Sequence, residues 1–173
     1  MSAGSLPLHI EPFKWADRGA EVEVTLALKS FPRLLQGALS DQGEVTVRCD
    51  FARDTQGRAW LEGSATTTLS LTCQRCLEGV PVSLDAEFRL ALLADEADAD
   101  ELSGEDDYIV VGADALSLYD VVEDELILTL PLVARHEDCT PSYVPEPLVE
   151  ADPPRENPFQ VLAAVKPQDP DQQ

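Results

Sequence analysis

Apolar and polar residues alternate along several stretches of the chain. This two-residue period is typical of a strand with one buried face. Pro7 confines the first stretch to a sheet edge, and Gly63 marks a predicted β-bulge. The predicted strands are residues 6–10, 20–28, 44–51, 59–72, 80–93 and 108–111.

A helical period replaces the alternation in residues 117–130. Leu118, Val121, Val122, Leu126 and Leu130 recur at helical spacing, and Pro131 ends the run. A second, shorter helix is predicted over 31–39, with Pro32 in its first turn. Strands in succession with one or two helices predict an α+β fold, mainly an antiparallel sheet with packed helices.

Two further segments carry acidic residues and few apolar ones. Residues 94–107 hold eight acids and no base, which favours a solvated, unstructured loop; the alternative is a contact for a basic partner. From Pro131 onward lie 9 of the 13 prolines. We therefore predict one domain over 1–140 and an irregular, acidic, Pro-rich tail over 141–173, with a short apolar docking segment at 157–165.

The formal net charge is −21, and it is concentrated in the second part of the chain. Residues 1–93 carry 9 basic and 12 acidic side chains, whereas residues 94–173 carry 3 and 21. Nucleic-acid affinity depends on Lys and Arg that neutralise phosphates, so the charge favours a basic protein partner. A nucleic-acid mimic would need ordered carboxylates, which an unstructured acidic loop does not supply. Direct RNA binding would have to use the arginines of the first half, Arg48, Arg53, Arg58 and Arg75.

The first residues lack the basic and apolar regions of a signal peptide, and no stretch approaches the roughly 20 apolar residues of a membrane span. We therefore expect a cytosolic protein without membrane contact. In a reducing compartment, cysteines indicate metal ligands or free thiols rather than disulfides.

The cysteine pattern is the strongest chemical signal. Cys73 and Cys76 have C-x2-C spacing at the tip of a predicted hairpin, and His136 and Cys139 repeat that spacing after the predicted long helix. Three thiols and one imidazole are a ligand set for tetrahedral zinc. Alternatively, Cys73 and Cys76 are small buried apolar residues. Core packing is the interpretation for Cys49.

Enzymatic chemistry finds little support in the sequence. It contains no phosphate-binding glycine loop and no G-x-S-x-G motif. Glu123, Asp124 and Glu125 are adjacent on a helix and point in different directions, so a solvated face is the interpretation. A thiol redox role for Cys73 and Cys76 stays open, although such thiols usually precede a helix, not a strand.

Several of these segments together resemble one family, the YceD family of large ribosomal RNA subunit accumulation proteins. The similar segments are Leu71-Thr72-Cys73-Gln74-Arg75-Cys76, Asp120 to Pro131 (D-V-V-E-D-E-L-I-L-T-L-P), His136 with Cys139, and Asn157-Pro158-Phe159-Gln160-Val161-Leu162. Cys49 also has a counterpart in the family. Many relatives have proline where Ala134 stands, and some carry extra cysteines near Cys139. This chain lacks those cysteines, so a complete metal site must use His136.

The resemblance implies a non-enzymatic role in the synthesis, processing or stability of 23S ribosomal RNA. We expect a large-subunit ribosomal protein or assembly factor as partner, with direct rRNA contact as the alternative. The residues predicted to contact a partner or RNA are Arg75, Glu123, Asp124, Glu125, Asn157, Pro158 and Phe159.

Overall fold

A computed structural model describes residues 6, 7, 9–102, 104, 106–111 and 115–143. Its centre is a five-stranded sheet in which the strands follow the order of the chain. The first three pairs of neighbouring strands are antiparallel, and the last strand pairs in parallel with the fourth. The strands are β1 (Glu21–Ala27), β2 (Glu44–Arg53), β3 (Ala59–Thr72), β4 (Gly79–Leu93) and β5 (Asp107–Val110). The predicted α+β class with a mainly antiparallel sheet is confirmed.

Two α-helices, α1 (Pro12–Asp17) and α2 (Leu118–Leu128), contribute to the same core as the sheet. The Ser117 side chain accepts a hydrogen bond from the backbone N–H of Asp120 and caps α2. This helix was predicted from its period. The prediction missed α1, because six residues are too few to display a helical period; its Trp15 packs edge-on against Phe51 of β2, with ring centroids 5.3 Å apart.

Two predicted elements are wrong. Within residues 6–10, the described part forms no strand, and only Ile10 makes a bridge, to Leu116. Residues 31–39 form no α-helix. They contain one 3-10 turn, Leu34–Gly37, and another, Leu28–Ser30, precedes them. The physical reason is tertiary, since the backbone becomes extended at Ala38, which bridges to Leu71 of β3, and Gly37 just before it weakens a helix.

Gly63 does not form the predicted β-bulge. It keeps regular register, opposite Cys49 on β2 and Phe88 on β4. A Cβ at Gly63 would lie 2.4 Å from Cζ of the Phe88 ring. The glycine therefore leaves room for an aromatic ring that covers the strand.

The acidic segment after β4 is more ordered than predicted. Residues Glu96–Glu101 form a 3-10 helix, and Asp95 caps it with its side chain. Ala99 and Leu102 pack beside Trp60, which is buried together with Ala91 and Leu93. Apolar anchors within an acidic stretch thus fix part of the segment that was predicted to be an unstructured loop.

The predicted tail over 141–173 lies outside the described residues from residue 144 onward. Its docking segment at 157–165, including Asn157, Pro158 and Phe159, lies there too. The domain boundary and the tail contacts therefore stay predictions.

Candidate metal centre

The hairpin between β3 and β4 builds the first half of the centre. The backbone N–H of Cys73 donates to the carbonyl of Glu78 at 2.8 Å, and the N–H of Leu77 donates back to the carbonyl of Cys73 at 2.9 Å. These bonds fold the C-x2-C run into a tight turn. Both cysteine side chains therefore point toward the same space, with Cys73 fully buried and Cys76 partly exposed.

Leu77 closes this turn in a left-handed conformation, with a φ of 64°. That conformation is costly for a bulky residue and free for glycine. The Leu77 side chain is 65% exposed, so little packing offsets the strain.

We expect Leu77→Gly to stabilise the protein by about 1 kcal/mol. The left-handed backbone costs a side chain about 1–2 kcal/mol, and the greater freedom of glycine in the unfolded chain offsets part of the gain. Urea unfolding of the two proteins under the same conditions measures the difference. The matched control is Leu132→Gly, at an exposed leucine outside the left-handed region, which should bring no gain in stability. Destabilisation by Leu77→Gly would contradict the strain argument.

The segment after α2 supplies the second half. The backbone N–H of Gln74 donates to the carbonyl of Ala134 at 2.9 Å, and the N–H of Ser142 donates to the carbonyl of Arg75 at 3.0 Å. Ala134 is buried in a small apolar cluster with Cys73 and Val80. These contacts hold residues 134–142 against the hairpin turn.

All four predicted ligands meet as a result. The Sγ atoms of Cys73, Cys76 and Cys139 and a ring nitrogen of His136 lie within 4.8 Å of one another. The Sγ atoms of Cys73 and Cys139 are 3.8 Å apart, and Sγ of Cys76 is 3.4 Å from Nδ1 of His136. Tetrahedral zinc with bonds of about 2.0–2.3 Å would place its ligands roughly 3.5–3.8 Å apart. The donor set and its spacing therefore fit zinc.

The turn also favours a thiolate. Burial by itself raises the pKa of Cys73, but hydrogen bonds from the backbone N–H groups of Cys76, His136 and Arg75 outweigh it and lower that pKa to about 5. The pKa of Cys76 is raised, because burial and the neighbouring Cys73 and Cys139 sulfurs outweigh the N–H of Glu78. The Cys73 thiol is therefore readily deprotonated, as metal binding requires.

Cys49 has no part in this centre. It is fully buried in the main core, and burial raises the pKa of its thiol to about 12. The predicted packing role is confirmed.

The solvated face predicted for the acidic run of α2 is wrong for Glu123. This residue is 4% exposed, and its carboxylate accepts hydrogen bonds from the backbone N–H groups of Arg33 and Leu34 at 2.6 and 3.2 Å and from Nε of Arg33 at 2.7 Å. The carboxylate therefore serves the fold. The role of Arg33 was not predicted. The available signal was the position of Glu123, three residues before Leu126 and four before Ile127, on the edge of an apolar stripe.

Asp124 and Glu125 lie beside an open groove of about 700 Å³ between β5 and α2. Asp124 also pairs with Arg33. Burial first, then the nearby Asp107 and Asp124, raises the pKa of Glu125. No lysine or arginine is among the described residues that line the groove, whose carboxylates are Asp106, Asp107, Asp120, Asp124 and Glu125. The groove therefore has an acidic wall, in which Asp124 pairs with Arg33 and Asp106 with Arg89.

The arginines considered for RNA contact each have a partner within the chain. Arg48 pairs with Asp50, Arg53 with Asp17 and Arg58 with Asp54. Arg75 turns toward Cys139 and the carbonyls of His136 and Glu137. In the described part of the chain, none of these four guanidinium groups lacks an acceptor.

Within the described residues, no helix is long and apolar enough to cross a membrane.

Comparison with known proteins finds a family model and a relative with the same name. A family model described as "Large ribosomal RNA subunit accumulation protein YceD" matches residues 61–166. A protein of Haemophilus influenzae with that same name is 32% identical over 176 residues, which cover 96% of this chain and 99% of the relative. No solved structure matches.

Proposed function

The chain belongs to the YceD family of large ribosomal RNA subunit accumulation proteins, and from this premise we propose that it is a non-enzymatic ribosome-biogenesis factor. It supports the synthesis, processing or stability of 23S ribosomal RNA in the cytoplasm. The observation that carries this proposal is the match over nearly the full length of both chains. The name of the relative refers to rRNA accumulation and to no reaction, which supports a role without catalysis.

We further propose that Cys73, Cys76, His136 and Cys139 hold one structural zinc ion. Four protein ligands leave no open position for substrate, which distinguishes structural from catalytic zinc. When bound, the metal would join the β3–β4 hairpin to the segment after α2. The fit between the ligand spacing and tetrahedral geometry supports this assignment.

The working surface in this proposal is the acidic groove between β5 and α2. Ribosomal proteins and their assembly factors are commonly basic, and complementary charge accelerates and selects such encounters. Burial, and then the negative charges of Asp107 and Asp124, raises the pKa of Glu125, so the carboxylates of Asp107 and Glu125 repel each other. A cationic segment of a large-subunit ribosomal protein or assembly factor would relieve that repulsion.

Two alternatives receive less support. Direct rRNA binding would require Arg48, Arg53 and Arg58 to leave their acidic partners, although exposed ion pairs cost little to break. A thiol redox role would use Cys73 and Cys76, but reactive thiols are usually accessible, and Cys73 is fully buried.

The experiment uses a strain that lacks the gene and is complemented with tagged variants of the full chain. We expect the wild-type protein to restore the ratio of 23S to 16S rRNA and to recover a basic large-subunit partner. The variant Asp107→Asn with Glu125→Gln should weaken partner binding by roughly 2- to 30-fold, at about 0.2–1 kcal/mol for each charge. Asp85→Asn with Glu87→Gln, at exposed positions of β4 outside the groove, is the matched control and should bind normally.

The alternatives give different outcomes in the same experiment. Direct RNA contact would be favoured if the purified protein binds 23S rRNA fragments with steep salt dependence and the tagged chain recovers no basic protein. Turnover of a disulfide substrate that is lost in Cys76→Ser would favour a redox enzyme. Normal 23S rRNA levels in the deletion strain would overturn the biogenesis role itself.

A further inference from the structure

Arg75 stands between the two cysteines of the hairpin turn, yet its side chain serves the other half of the metal centre. Nε of Arg75 donates to Sγ of Cys139 at 2.8 Å. One terminal nitrogen donates to the carbonyls of His136 and Glu137 at 3.2 and 3.1 Å. A single guanidinium group therefore contacts a ligand sulfur and the backbone of the second ligand pair.

The backbone of Arg75 also contacts the segment that carries His136 and Cys139. Its carbonyl accepts from the N–H of Ser142 at 3.0 Å. Main chain and side chain together hold both ends of the segment that carries His136 and Cys139. Without these contacts, that segment would depend on the bond between Gln74 and Ala134 and on the packing of Ala134.

Charge gives Arg75 a second role at this position. Three thiolates, one neutral imidazole and Zn²⁺ carry a net charge of −1, and a partly buried net charge is costly unless it is paired. The guanidinium supplies +1 directly against the Cys139 sulfur. In the described part of the chain, no other Lys or Arg side chain has a recorded contact with the four ligands.

We propose that Arg75 is the positioning residue of the metal centre: it presents Cys139 and the His136–Glu137 backbone to the hairpin cysteines and balances the charge of the thiolates. This inference rests on the proposed zinc site. It replaces the partner or RNA contact predicted for Arg75, because the planar fork that would bind a phosphate already has its acceptors inside the protein.

Lysine cannot reproduce this arrangement. Its ammonium is a compact charge on a flexible stem, whereas the guanidinium offers donors in a fixed plane that reach sulfur and carbonyls together. Lysine keeps the charge and loses the fork. Glutamine keeps part of the polar character and loses both.

The test measures zinc affinity of the full chain by competition with a chromophoric chelator, and then records the absorption spectrum with Co²⁺ in place of zinc. We expect Arg75→Gln to weaken zinc binding by about 10- to 100-fold, the usual cost of removing a group that orients metal ligands. Arg75→Lys should recover part of that loss. Arg48→Gln removes an exposed arginine paired with Asp50 on β2 and should leave the affinity unchanged.

The cobalt spectrum separates positioning from general stability. If Arg75 presents Cys139, the sulfur-to-cobalt charge-transfer band of Arg75→Gln should lose intensity even in protein that is folded by far-UV circular dichroism. A wild-type affinity and an unchanged cobalt spectrum in Arg75→Gln would overturn the proposal.

A measurement on the wild-type protein covers the case in which both variants fail to fold. In protein loaded with ¹¹³Cd²⁺, the Nε–H proton of Arg75 should be protected from solvent exchange and show correlation to the metal through Cys139. A rapidly exchanging, uncorrelated proton in the loaded protein would overturn the proposal. If the wild type binds no metal, the zinc assignment fails as well; if it binds metal and Arg75→Gln is unaffected, only the role of Arg75 fails.

Discussion

Removal of zinc is expected to lower the free energy of unfolding by about 4 kcal/mol when free zinc stands at 1,000 times its dissociation constant, because a ligand bound only to the native state stabilises it by mass action. Here the metal would join two chain segments 60 residues apart, between Cys76 and His136. Urea unfolding with and without a strong chelator measures the loss. Cys73→Ser should abolish the response to chelator, because it removes a fully buried ligand.

Cys49→Ala is the matched control for that prediction. It removes a thiol that is equally buried but belongs to the main core, so it should lower stability while keeping the full response to chelator. Wild-type protein with identical unfolding curves in zinc and in chelator would contradict the metal assignment. The four residues would then be packing and hydrogen-bonding groups only.

Glu123→Ala is expected to cost about 1–3 kcal/mol of stability, the range for leaving a buried hydrogen-bond donor without its acceptor. The Arg33 side chain is 45% exposed and keeps Asp124 and water as partners. The substitution leaves Nε of Arg33 and the backbone N–H groups of Arg33 and Leu34 without the acceptor they use in the fold. Unsatisfied buried donors carry the desolvation penalty in full. The loss should appear as a lower midpoint of denaturant unfolding with an unchanged slope.

Asp124→Ala tests the same helix one residue later. Asp124 also pairs with Arg33, but its side chain is 58% exposed, so the expected loss is at most about 1 kcal/mol. Equal losses of stability for Glu123→Ala and Asp124→Ala would contradict the argument that burial makes Glu123 the more important of the two carboxylates. Glu123→Gln should fall between them, since its amide oxygen can still accept from the backbone.

Strands β1 to β4 were predictable because buried residues alternate with exposed ones over much of their length. Val45, Val47, Cys49 and Phe51 are inward residues of β2, and their alternation with polar residues is visible without a structure. Ser117 and Pro131 delimit α2 by local chemistry. The prediction failed where local signals conflict with tertiary contacts. Residues 31–39 have apolar residues and a proline suited to a helix, but Ala38 adopts an extended backbone and bridges to Leu71 of β3.

The metal ligands were predictable as residue types and spacings, because a C-x2-C run on a turn brings two sulfurs together locally. The contacts that hold these ligands in place were not predictable. Arg75 was predicted to contact a partner or RNA, because nothing in the neighbouring sequence indicates that its side chain reaches Cys139, which lies 64 residues away.

Local periodicity, capping residues and ligand spacing established the α+β class, the hairpin turn and the four candidate ligands, since each of these depends on residues close together in the chain. Tertiary structure decided which charges are used inside the fold and which face outward. Glu123 and Asp124 are adjacent in sequence, yet one is 4% exposed and the other lies on the surface. Burial and partnership depend on segments brought together from far along the chain, and local sequence does not specify that encounter.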